Sequence, residues 1–133
     1  MDNKQKGRNG LLLGMSYFGR QGYTISLPIN DTQWYDFVIE KDGKFETVQC
    51  KYTDSKDNTI DFRSTGGTKG EVFDNALNYP IDYFFCANPK CGFVITKKDL
   101  VEKEVKRSIT LLEEKSKFAS HGFETYNYLV ERY

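Results

Sequence analysis

The sequence predicts an α/β domain in which a β-sheet is flanked by helices. Three observations carry that reading: an apolar stripe with a 3.6-residue period near the N-terminus, two pairs of short apolar runs each divided by turn residues, and a second helical stripe at the C-terminus. At 133 residues the chain is the size of one domain and can bury roughly two-thirds of its unfolded surface without disulfides or a structural metal. Hydrophobic residues at 38% and aromatics at 15% exclude wholesale disorder.

From Lys4 to Gln21, Leu11, Leu12, Met15, Tyr17 and Phe18 fit a helical stripe. Gly7, Gly10, Gly14 and Gly19 interrupt it, and each interior glycine, at a cost of about 1 kcal/mol against alanine, needs a packing reason. Gly22 ends the helix, Tyr23–Leu27 alternates as a short strand, Pro28 stops it, and Asn30-Asp31-Thr32 reads as a turn. Phe37-Val38-Ile39 and Phe45-Glu46-Thr47-Val48 flank Asp42-Gly43, the strongest short hairpin signal a sequence offers. Thr59–Arg63 alternates as a strand, and residues 64–70 form a glycine-bearing loop or ribbon. Ile81–Cys86 and Phe93–Thr96 make a second strand pair around Asn88-Pro89-Lys90, Lys97–Val105 a turn or short helix, and Ile109–Leu112 an edge strand. Phe123, Tyr126, Leu129, Val130 and Tyr133 give the closing helical stripe.

Charge is balanced in sum but not in place. Residues 1–29 carry Lys4, Lys6, Arg8 and Arg20 against Asp2, whereas residues 30–62 carry eight acids and four bases. Such a chain can set a basic rim around an acidic pocket, the arrangement that holds phosphates next to a coordinated cation; ordinary solvated charge fits the same counts. No apolar run approaches the roughly 18–20 residues of a membrane span, and the opening Met-Asp-Asn-Lys-Gln-Lys-Gly lacks a secretory core. Three cysteines, Cys50, Cys86 and Cys91, are a poor disulfide framework. The expectation is a cytoplasmic protein with no membrane partner.

Several chemistries lack their residues. The single histidine, His121, has no nearby cysteine or second histidine, which argues against a zinc site or a Ser/His/Asp triad. Neither a phosphate-binding loop nor a dinucleotide fingerprint is present.

The hairpin is more informative. With Asp42 and Gly43 as turn residues, 41 faces 44 and 40 faces 45, so that 36 faces 49. Side chains alternate along a strand, which puts Gln49 and Lys51 on one side and Asp36 beside Gln49, with β-carbons roughly 4.5–5.5 Å apart. Oxygens of Asp36 and Gln49, with the backbone carbonyl of Cys50, can hold a divalent cation, and the Lys51 ammonium can stabilise charge on a phosphate or orient an attacking water. Polar residues of a solvated hairpin fit the same pattern.

The string Tyr35-Asp36-Phe37-Val38-Ile39, followed by Phe45-Glu46-Thr47-Val48-Gln49-Cys50-Lys51-Tyr52 and preceded by Lys6-Gly7-Arg8-Asn9-Gly10 and a helix ending in Gly22-Tyr23, resembles the PD-(D/E)xK nuclease superfamily. Within it, the chain is similar to the small homing endonucleases encoded in bacterial group I introns, in which the middle acid is often Gln, as in Val48-Gln49-Cys50-Lys51. The likeness runs from Lys4 to Ile95. It implies a PD-(D/E)xK core with a twisted mixed β-sheet flanked by helices, and Mg²⁺-dependent hydrolysis of double-stranded DNA by Asp36, Gln49 and Lys51. It also implies assembly into dimers or tetramers. Residues 1–22 are then the N-terminal helix of a single endonuclease domain, 23–100 the catalytic sheet, and 101–133 a C-terminal extension offering oligomer contacts.

One position departs from the family pattern. The family usually carries Glu on the first helix soon after its Lys-Gly pair, and Leu11 stands there, either a natural loss or a substitution that disarms a toxic nuclease. Asp31 is an alternative metal acid, set behind Asp36 because it sits among turn residues. Lys4, Lys6 and Arg8 suit phosphate contacts, and Arg63, Ser64, Thr65, Thr68 and Lys69 carry side chains that read base edges. The rival classes are a catalytically inert DNA-binding or oligomerisation module, for which Leu11 speaks, and a Holliday-junction resolvase or restriction-type nuclease sharing the core.

Overall fold

A six-stranded mixed sheet divides the molecule into an α-helical side and a side covered by a smaller β-layer. The computed structural model describes residues 2–30, 34–66, 71–105, 107–111 and 129–132, with backbone alone at 64–66, 71–75, 91 and 129–132. Asp31, Thr68, Lys69, His121, Phe123, Tyr126 and Tyr133 lie outside the described residues.

Helix α1 spans Asn3–Arg20. Asp2 starts it with a reciprocal cap: its carboxylate accepts from Gln5 N at 2.8 Å, and Gln5 Oε1 accepts from Asp2 N at 3.0 Å. It ends at Gly22, whose φ of 89° only glycine adopts without strain; Gly22 N donates to Gly19 O and Tyr23 N to Phe18 O, each at 3.1 Å. The interior glycines have their packing reason at two positions. A Cβ on Gly10 would stand 3.3 Å from Tyr52 Cβ, and one on Gly14 would stand 2.6 Å from Cys50 Sγ and 3.3 Å from Phe85 Cδ1. Those two positions let the helix lie close on the sheet.

β1 (Thr24–Ser26), β2 (Phe37–Lys41) and β3 (Lys44–Tyr52) form an antiparallel meander. Asp42 at φ 53° and Gly43 at φ 81° make the two-residue turn, and Phe37 pairs with Val48 and Lys41 with Lys44, the register expected from Asp-Gly. The chain then leaves the sheet through β4 (Thr59–Asp61), β5 (Arg63–Gly66), β6 (Glu71–Asn75) and a 3₁₀ turn at Ala76–Asn78. It returns as β7 (Tyr83–Ala87), parallel to β3 with Gln49 beside Phe84 and Lys51 beside Cys86. Asp82 fixes the start of that pairing, accepting from Thr47 N at 2.8 Å while its own N–H donates to Thr47 Oγ1 at 3.1 Å. β8 (Cys91–Thr96) runs back antiparallel, Thr96 caps α2 (Lys97–Glu102) by accepting from Asp99 N, and β9 (Ser108–Thr110) pairs with β4 in a separate two-stranded sheet. β10 (Leu129–Arg132) completes the main sheet, whose order is β1-β2-β3-β7-β8-β10.

Alternation along the strands sorts the core into two layers. Phe18 of α1 packs with Phe37, Ile39, Val48, Phe85 and Ala87 on one face. On the other, Phe84, Cys86, Phe93 and Ile95 meet Ile60 and Phe62, Leu100 of α2 and Ile109 of β9. Full burial of a phenylalanine or isoleucine stabilises by about 1.5–3 kcal/mol, so both layers hold the central strands.

One expectation is narrowed and one corrected. Of the loop or ribbon expected over 64–70, residues 64–66 belong to strand β5, which pairs antiparallel with β6 with a register shift between Ser64 and Thr65, and residues 67–70 lie outside the described residues. Leu129 and Val130 belong to a strand and not to a C-terminal helix, Leu129 pairing with Phe93 and Arg132 with Cys91. Without that strand β8 would be an open edge, and the backbone bonds it offers outweigh the helical spacing of the stripe.

Candidate metal and active site

Asp36 precedes β2 by one residue. Its own N–H donates to Val48 O at 2.8 Å, one residue off the register in which Phe37 pairs with Val48, and its carboxylate accepts from Cys50 N at 2.6 Å. Gln49 and Lys51 follow on β3, on the face turned away from α1, as their partners Phe84 and Cys86 show. The sequence-nominated trio is therefore carried by one hairpin, and β7 supports it from the side.

Gln49 is tied in a specific way. Its Nε2 donates to Trp34 O at 2.7 Å. A carbonyl only accepts, which fixes the amide orientation and turns Oε1 the other way. Among the described residues, Gln49 Oε1 is the buried side-chain oxygen with no hydrogen-bond partner. Most buried acceptors are paired, and one that is not is open to an ordered water or an ion. An amide oxygen beside a carboxylate is a hard-oxygen donor set suited to Mg²⁺. Among the described residues no group of three His, Cys, Asp or Glu gathers that could hold a metal.

Burial sets the electrostatics. It pushes the Asp36 carboxyl above its ordinary value, opposed by the Cys50 N–H and the charge of Lys51. It pulls Lys51 below its ordinary value, opposed by Cys86, Asp36 and Asp61. A carboxylate and an ammonium are thus both held at a desolvation cost that a cation and a phosphate would relieve. Cys50 contributes backbone only: its thiol points at Gly14, under α1, and burial raises it well above its ordinary range. Cys86, beside Lys51, is raised to about 12 by burial, so neither thiol is a thiolate ligand at neutral pH.

The other nominated residues are dispersed. Leu11 is half-buried in the layer between α1 and the sheet, across β3 from the side chains of Gln49 and Lys51. Lys4 and Arg8 are exposed on the first turns of α1, whereas Lys6 pairs with Asp54 at 2.9 Å. Arg63 is held by Asp61 through Nη2 at 2.7 Å and Nε at 3.1 Å, a bond that holds the Asp61 carboxyl below its ordinary value. Ser64 and Thr65 lie on β5 of the ribbon. Sequence reasoning missed Trp34, whose carbonyl meets Gln49, and Asp61, whose charge reaches Lys51. The chain's single tryptophan two residues before Asp36 was the available signal for the first.

The sequence profile of the PD-(D/E)XK endonuclease family matches residues 1–125. The chain belongs to that family. Among solved structures, that of the bacterial homing endonuclease I-Ssp6803I superposes with a TM-score of 0.71 over 89% of this chain and 83% of that one, at 18% sequence identity. At that identity the likeness establishes the α/β fold, as the mixed sheet and α1 already indicated. Among curated proteins no match is found. Among the described residues, no helix is long and apolar enough to cross a membrane.

Proposed function

We propose that this endonuclease, one domain over residues 1–133, cuts double-stranded DNA at specific sites with Mg²⁺, in the manner of a homing endonuclease, and works inside the cell as a dimer or tetramer. The observation that carries the reading is the buried, unpartnered Oε1 of Gln49 on the same hairpin as Asp36 and Lys51. Asp36 and Gln49, with the Cys50 carbonyl, would hold the cation, which polarises the phosphodiester and the attacking water when bound. Lys51, its proton loosened by burial, orients that water, takes up or releases its proton at Nζ, and balances charge growing on the phosphate. Asp36, fixed by Cys50 N–H, holds its oxygens in one orientation as the phosphate approaches. Lys4 and Arg8 contact the DNA backbone, and the β5–β6 ribbon with Arg63, Ser64 and Thr65, together with Thr68 and Lys69, reads base edges once Arg63 exchanges Asp61 for DNA.

A second reading has its own observation. Leu11 sits in an apolar layer where the family pattern has an acid, and a chain that binds DNA without cutting it would follow from a site short of one negative ligand. Selection of bound sequences from a random duplex pool, followed by Mg²⁺-dependent cleavage of the selected duplex with four-way-junction DNA as competitor, separates the cases. Cleavage lost in Asp36→Asn supports the endonuclease, and junction DNA outcompeting the duplex supports a resolvase. Binding without cleavage at any Mg²⁺ concentration supports the inert module. Light scattering that shows only monomer, with and without DNA, would reject the oligomer.

A further inference from the structure

We infer that Trp34 is a positioning residue that selects which end of the Gln49 amide faces the cation, an inference that rests on the metal-site reading above. A carboxylate at position 49 would present oxygen at both ends, whereas an amide presents oxygen at one and a donor at the other. Turned the wrong way, Gln49 would aim an N–H at a cation. Some fixed acceptor must therefore hold Nε2, and the Trp34 carbonyl does so at 2.7 Å.

That carbonyl is itself held by its side chain. The indole stacks on Tyr79 with ring centroids 5.6 Å apart and planes 14° apart, and meets Tyr35 edge-on at 5.9 Å. Tyr79 is anchored in turn: its N–H donates to Ala76 O at 3.2 Å, and its carbonyl accepts from Ile81 N at 2.8 Å and from Lys97 Nζ. The crossover between β3 and β7 thus reaches back to grip the segment that leads into Asp36. Residues 34–36 deliver two orienting contacts within three positions, the Trp34 carbonyl to Gln49 and the Asp36 carboxylate to Cys50 N. A tryptophan 39% exposed contributes little to the core, and its stacking on Tyr79 is what fixes the carbonyl.

Trp34→Leu and Trp34→Phe, each in the Gln49 and Gln49→Glu backgrounds, test the inference by calorimetric titration with Mn²⁺. Losing the fixed acceptor lets the amide populate both orientations or turn over, so Trp34→Leu should weaken Mn²⁺ binding by about two- to tenfold with Gln49 present, the apparent affinity scaling with the competent fraction. Trp34→Phe, which keeps a stacking ring, should restore it. In the Gln49→Glu background the effect of Trp34→Leu should vanish or reverse, because both ends of a carboxylate are oxygen and neither can donate to the Trp34 carbonyl; an equal loss in both backgrounds would mean a merely structural role and overturn the inference. A protein with native residues at both positions that binds no Mn²⁺ overturns the metal-site reading instead. The orientation is then read without metal, from the Gln49 side-chain amide in ¹⁵N-resolved NMR spectra. One proton shifted downfield and slowly exchanging, lost in Trp34→Leu and regained in Trp34→Phe, supports the selection, and an amide unchanged by Trp34→Leu refutes it.

Discussion

Replacing Gly14 by alanine tests the close approach of α1 to the sheet and, through it, the geometry of the site. In a helix interior the change should stabilise by about 1 kcal/mol, since glycine is the poorer helix former. At Gly14 the new methyl would stand 2.6 Å from Cys50 Sγ, where ordinary contact begins at 3.4 Å, so helix or strand must separate by about 0.8 Å. Phe85 Cδ1 at 3.3 Å, itself fully buried, closes the other direction. Overpacking of this kind costs about 1–3 kcal/mol; less the propensity gain, the net loss is about 1 kcal/mol, or a Tm drop of about 3–5 °C for a chain of this size. Gly7→Ala, where a Cβ meets nothing within 4 Å, is the matched control and should raise Tm by a similar amount. Cys50→Ala added to Gly14→Ala removes the sulfur and should recover most of the loss. Because Cys50 lies between Gln49 and Lys51 and donates to Asp36, Gly14→Ala should also depress cleavage, an ångström at a reacting centre being worth up to about 10²-fold. Thermal unfolding followed by circular dichroism decides it: Gly14→Ala as stable as Gly7→Ala would refute the reasoning.

Two further outcomes are expected. Lys51→Met should stabilise the metal-free protein by about 1 kcal/mol near neutral pH by removing a desolvated ammonium, while abolishing cleavage. Lys51 has a lowered folded pKa, so its full stability is present above its unfolded value of 10.5 and is lost as pH falls through the folded value. The advantage of Lys51→Met should accordingly shrink at alkaline pH, and a Tm difference independent of pH from 7 to 11 would contradict the assignment. Leu11→Glu, placing a carboxylate in a half-buried apolar layer across β3 from the side chains of Gln49 and Lys51, should lower metal-free stability and leave Mg²⁺ affinity unchanged. A gain in Mg²⁺ affinity, measured by thermal shift with and without Mg²⁺, would show that position 11 reaches the metal site and refute its role as an ordinary packing residue.

What could be read from the sequence was local. Asp42-Gly43 determines its own turn and with it a register over ten residues, which is why Phe37 could be set opposite Val48, whereas Asp36 just beyond bonds Val48 O and departs from that register. The glycines of α1 announced a close approach but not its partner, because Cys50 and Phe85 arrive from distant segments. The second strand of the ribbon was hidden since residues 71–75 alternate weakly, and the closing strand because Leu129 and Val130 fit either period until β8 lies beside them. The Trp34 carbonyl could not be foreseen at all: a main-chain acceptor carries no side-chain signature.

The parallel pairing of β3 with β7 has a consequence for the order in which the molecule assembles. β2 and β3 are joined by two residues and can zip within microseconds, whereas β7 begins at Tyr83, after a crossover that must close before any parallel bond forms. Asp36 and Gln49 therefore come together early, on a hairpin that also carries Lys51 but leaves it in water. Only when β7 docks does Cys86 come to lie beside Lys51, and only when the crossover folds back does Tyr79 grip Trp34. A chain emerging N-terminus first thus carries the proposed ligands long before they are oriented, and the proposed centre stays incomplete until its slowest contact has closed.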